Sequence, residues 1–87
     1  MNEVEGEVRY YASRLPATRR SVDKIRQLLE ERFKDKIVVI ESDETDPDEV
    51  LSYGYKVVLR NGEAIFFGIE EVIDRRGIRL DWYVASV

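Results

Sequence analysis

The chain has 87 residues, of which 44% are apolar and 37% charged, with 18 acidic and 14 basic side chains and neither cysteine nor histidine. That length suits one domain, expected over residues 1–87, with a small core. The missing side chains exclude thiolate nucleophiles, imidazole proton transfer, disulfides and zinc sites built on nitrogen and sulfur.

The chain begins Met1-Asn2-Glu3-Val4-Glu5. It is acidic there and lacks the basic region and apolar stretch of a signal peptide. With no disulfide available, a cytoplasmic location is expected. Residues 7–12, Glu-Val-Arg-Tyr-Tyr-Ala, alternate and carry aromatics, so a strand is expected. A helix is the rival reading, because Val4, Val8, Tyr11 and Leu15 fall three to four apart. Gly6 weakens that rival, since glycine disfavours a helix interior. Leu15-Pro16 closes the segment.

The clearest helix follows. Val22, Ile25, Leu28, Leu29 and Phe33 form one apolar stripe at helical spacing, with Asp23, Gln27, Glu30, Glu31 and Lys34 away from it. Ser21 is the expected N-cap, or the helix starts a turn earlier with Pro16 at its first position. Ile37-Val38-Val39-Ile40 is the longest apolar run, far short of the ~18 residues of a membrane span. Apolar at every position, it reads as a central strand covered on both faces. From Glu41 to Val50 there are six carboxylates and no base, while the rest of the chain has 14 bases against 12 acids. This stretch reads as a solvated loop, with a short helical turn from Pro47 through Leu51.

Asn61-Gly62 lies between two alternating segments, Tyr55–Arg60 and Glu63–Ile69, and is a strong hairpin signal. Residues Glu70 to Arg76 suggest two helical turns ended by Gly77. Ile78 to Val84 alternates as a last strand. The expected class is α+β: a mixed sheet of four or five strands with one long helix packed on one face, in the order β-α-β-β-β-(short α)-β. Strand, helix, strand at the start implies a right-handed parallel crossover.

That order, followed by Tyr53-Gly54-Tyr55-Lys56-Val57-Val58-Leu59-Arg60-Asn61-Gly62-Glu63, resembles a thioredoxin-like domain over about residues 7–68. The resemblance implies an alternative fold, thioredoxin-like. It departs at the redox site, with no cysteine near Ser13 to Thr18 and no proline before Val57. Redox activity is excluded even on that fold.

Side-chain alternation divides the expected sheet into two faces. One faces the helix and holds Val8, Tyr10, Val57, Leu59, Ile65, Phe67, Leu80, Trp82 and Val84. The other holds Arg9, Tyr11, Lys56, Val58, Arg60, Phe66, Arg79 and Tyr83, an aromatic and basic set too apolar for a plain solvated surface. A patch of that kind marks an interface, unless short helical pieces fold over it. A second cluster, Arg14, Arg19, Arg20 and Lys24, stands at the front of the long helix, where anions are attracted. As a bland alternative it is a solvated basic edge.

Asp43, Asp46, Asp48 and Glu49 offer oxygen ligands but lack the spacing of a calcium loop. No nucleophile motif, phosphate loop or paired-carboxylate pattern stands out, so neither an enzyme, nor a cofactor, nor a metal site is expected. The expected function is a small interaction module that self-associates or docks to a protein partner through the aromatic face. The alternative is a nucleic-acid-binding accessory protein using that face or the basic helix end. Only Asn2, Asn61, Gln27 and Met1 represent the thermolabile types, and charges abound, which fits a hot habitat.

Overall fold

The computed structural model describes residues 2–43 and 51–87. Two helices come first: α1 (Glu3–Ala12) and α2 (Arg19–Arg32). Four strands follow: β1 (Ile37–Ser42), β2 (Ser52–Leu59), β3 (Ala64–Asp74) and β4 (Gly77–Ser86). They form one antiparallel meander in the order β1-β2-β3-β4. The class is α+β, with both helices on one face of the sheet.

The segment expected as a first strand is α1. Asn2 caps it, its side chain accepting from the Glu5 N–H at 2.7 Å, and Glu3 and Glu5 sit in the first turn. There carboxylates complement the helix dipole. The spacing of Val4 and Val8 prevails over the alternation of 7–12, because both side chains are fully buried on the helical face. Gly6 is tolerated inside the helix. With no strand before α2, there is no parallel crossover, and the order that resembled a thioredoxin-like domain is absent.

α2 starts between the two expected positions. Thr18 rather than Ser21 is the N-cap, its hydroxyl accepting from the Ser21 N–H at 3.1 Å, and Pro16 lies outside the helix. Val22, Ile25 and Leu29 bury the expected stripe, with Phe33 closing the end. α2 rests on β2 and β3, while α1 rests on β4 and touches α2. Between the layers lie Val57, Leu59, Ile65, Phe67 and Ile69.

Ile37–Ile40 is an edge strand, not a central one, since β1 pairs only with β2. A register slip between Ile37 and Val39 puts Ile37 opposite Leu59 and Val39 opposite Val58. Val38 is the extra residue and is 58% exposed. The Asn61-Gly62 turn is as expected, with Gly62 at φ 91°. Residues 70–76 are not helical: β3 runs on to Asp74 and meets β4 through a second tight turn, with Gly77 at φ 114°. Cross-strand pairing down the whole hairpin outweighs the weak helical spacing of that stretch. The turn expected from Pro47 lies outside the described residues up to Val50, and Leu51 is not helical.

Candidate interaction face

In an antiparallel meander, directly opposed residues share a face. Val57, Ile65 and Phe67 lie in rows beneath α2, so the alternate rows face away from both helices. Reading across the strands, those rows are Val39, Val58 and Ala64; Glu41, Lys56, Phe66 and Ala85; Gly54, Gly68 and Tyr83; Ser52, Glu70 and Asp81; Val72 and Arg79. Among the described residues no helix covers this side.

Five of the eight expected face residues are gathered there: Lys56, Val58, Phe66, Arg79 and Tyr83. The other three are elsewhere. Arg9 and Tyr11 belong to α1. The Arg9 guanidinium pairs with Glu5 at 3.0 Å and donates to the Val84 carbonyl at 3.3 Å, pinning α1 to β4. That pairing holds the buried Glu5 carboxyl below the usual carboxylate range. The Tyr11 hydroxyl accepts from Arg32 at 3.2 Å. Arg60 follows β2, and its Nε donates to the Asp35 carbonyl at 2.8 Å. Of the expected helix-facing set, Tyr10 is likewise on α1 and 52% exposed, and Leu80 is 45% exposed.

The centre of the open face is a trough. Gly54 and Gly68 oppose each other on β2 and β3, and the Tyr83 hydroxyl lies over them from β4. A Cβ on Gly68 would stand 2.6 Å from the Gly54 Cα and 2.8 Å from the Tyr83 hydroxyl. Only glycine leaves that space. The Tyr83 hydroxyl reaches Asp43, at 3.5 Å. Burial, then the Asp43 charge, pushes its phenol up to about 12. Beside it, the Lys56 ammonium lies 5.7 Å from the centre of the Phe66 ring, a cation–π distance.

The face is not basic. Register adds Glu41, Asp43, Glu70 and Asp81 to it, against Lys56 and Arg79, and Arg79 is bound by Asp74 at 3.2 Å and Asp81 at 3.1 Å. The sequence signal for these acids is the Asn61-Gly62 turn: counting outward from it places Glu70 on the face of Lys56 and Phe66.

The four residues of the expected anion site sit on the α1–α2 connection and the first two turns of α2. Arg14 stands 4.1 Å over the Tyr10 ring, and Arg19 stands 5.0 Å over the Tyr53 ring. Arg20 and Lys24 are exposed on α2. The polar cluster beside them is different: one oxygen of Asp23 accepts from both the Tyr53 and Tyr55 hydroxyls, at 2.6 and 2.7 Å. The bond to Asp23 is the main cause raising the Tyr53 phenol, whereas burial is the main cause for Tyr55. Asp46, Asp48 and Glu49 lie outside the described residues, and among the described ones no three acidic side chains gather as a metal site. Among the described residues no helix is long and apolar enough to cross a membrane.

The arrangement defines a two-layer module: a pair of helices on one side of a four-stranded meander, with no helix on the other side among the described residues. No protein-family model, no curated protein and no solved structure matches the chain.

Proposed function

We propose that the protein is a non-enzymatic interaction module that docks a protein surface on the open face of its sheet. The observation that carries this reading is the one-sided packing: Val58, Phe66 and Tyr83 stand together on a face that neither helix roofs. Contact energy comes from burying those three, while Lys56, Glu41 and Glu70 set the charge pattern a partner must complement. The surplus of carboxylates over bases supports a protein partner over nucleic acid, whose phosphates they repel.

A photo-crosslinking amino acid placed at Val58, and as a control at exposed Arg20 on α2, tests the reading in the cells from which the protein comes. A discrete adduct from position 58 and none from position 20 is expected. Equal adducts, or none from position 58, overturn it. Salt-dependent binding of a labelled single strand, lost on changing Arg19 and Arg20 together to Glu, places a nucleic-acid contact at the helix end instead.

A further inference from the structure

The arginines fall into two groups. Arg9, Arg26, Arg32 and Arg79 pair with carboxylates, and Arg60 donates to the Asp35 carbonyl. Arg14, Arg19, Arg20, Arg75 and Arg76 meet no carboxylate among the described residues. All of this second group stand at one end of the sheet. The Trp82 indole donates to the Leu15 carbonyl at 3.1 Å, which fixes the α1–α2 connection there, and Arg19 opens α2 over the Tyr53 ring. Arg75 and Arg76 form the tip of the β3–β4 hairpin.

Between the two sets of arginines lies an aliphatic strip. Arg19, Leu51, Tyr53, Ile69 and Leu80 line a notch at the start of α2. Beyond it the same side of the hairpin carries the row of Ile73 and Ile78. Ile73 is 72%, Ile78 67%, Leu80 45% and Leu51 41% exposed. Glu71, opposite Leu80, is the one carboxylate on that side of the hairpin past Ile69 among the described residues. From Ile69 to Arg75 is six residues, or ~20 Å at the rise of a strand.

We propose that this strip binds an acidic linear segment of a protein partner, with carboxylates at its two ends and aliphatic side chains between. Guanidinium groups take carboxylates two bonds at a time, so Arg19 at one end and Arg75 and Arg76 at the other fix the segment's ends. Its middle buries Leu80, Ile78 and Ile73, and the strip holds about six residues in extended form. Charge complementarity selects an anionic occupant, and the shape and chemistry of the strip narrow it. α2, packed on β2 and β3, rises above the sheet beside the notch, so a flat membrane cannot lie along the strip while a single chain can. Past Tyr53 the surface offers aliphatic chains and no ring for a base to stack on, which disfavours a nucleic acid. The strip is on the helical side of the sheet, so its occupancy is independent of docking on the open face.

Fluorescence anisotropy with a labelled octapeptide, two acidic residues at each end and four aliphatic ones between, tests the assignment. Wild type is expected to bind it. Arg75→Glu with Arg76→Glu, and separately Ile78→Ser, are each expected to weaken binding at least tenfold; both change exposed side chains and are expected to melt with wild type. Exchanging the peptide's acids for lysines is expected to abolish binding. Equal binding of the lysine peptide, or indifference to R75E/R76E or to I78S, overturns the proposal. A labelled DNA single strand or phosphatidylserine vesicles that bind through Arg75 and Arg76 while the peptide does not bind overturn it in favour of those partners. A peptide lost on Phe66→Glu but kept by I78S belongs to the open face and overturns it too. No binding by wild type also overturns it, and binding that then appears in E44Q/D46N/D48N/E49Q assigns the strip to the chain's own carboxylates.

Discussion

Tyr83 is held less by its hydrogen bond than by what is missing beneath its hydroxyl end. Its bond to Asp43 is long, at 3.5 Å, whereas Gly54 and Gly68 together clear the floor over which that end lies. A Cβ at Gly54 would press on the Phe67 carbonyl and the Tyr83 hydroxyl at once, and the first is backbone that cannot swing aside. Gly54→Ala is therefore expected to destabilise by ~1–3 kcal/mol, the range of overpacked interiors, and to displace Tyr83. Tyr83→Phe should cost less than ~1 kcal/mol, since it removes only a weak hydrogen bond. Chemical denaturation of the two variants checks the order, and an equal cost for both means the hydroxyl, not the floor, is what holds the ring.

Among the elements, α2 and the Asn61-Gly62 hairpin were legible because their signals are local: a stripe at helical spacing, and a turn that needs positive φ. The open-face residues Lys56, Val58, Phe66 and Tyr83 followed from alternation alone. α1 was misread since 7–12 fits both periods, and only burial of Val4 and Val8 against the sheet decides between them. The β1 position was misread for a related reason. An apolar run says that a strand is greasy, not which neighbour it has. Residues 70–74 continue a strand, with the turn at 75–76, because β4 is there to pair with them, a partner no local window contains. That hairpin has a further property. Past Glu71 its helical-side residues Ile73 and Ile78 are 72% and 67% exposed, so the tip is held by the ladder and by the Asp74 side chain, which accepts from the Arg76 N–H and from Arg79, and not by core packing. Amides of Asp74 to Ile78 should exchange with solvent long before those of Ile65 and Phe67, whose release requires global unfolding. Hydrogen exchange read by mass spectrometry measures the gap, and uniform protection along β3 contradicts it.

For the molecule as a whole, stability should depend on alkaline pH more than most folds of this size. Three phenols, Tyr53, Tyr55 and Tyr83, are raised above the ordinary tyrosine value in the folded state. A raised folded value means the native state holds its protons more tightly than the unfolded one. The resulting stability is complete below the unfolded value of ~10 and is lost as pH climbs through the folded values. For Tyr83 that loss runs up to about 12. The free energy of unfolding is thus expected to fall steeply above pH ~10, and Asp23→Asn should let Tyr53 ionise earlier by removing its main cause of delay. Denaturant melts at a series of pH values test the first, and the phenolate absorbance the second. A flat profile to pH ~12 contradicts both. Finally, Arg9 has a consequence at the sheet edge. Strand addition at an open edge propagates without limit, as in a fibril. The Arg9 bond to the Val84 carbonyl and the Asp81 bond to the Trp82 N–H fill outward groups of β4, so Arg9, which tethers a helix, also guards that edge against a further strand.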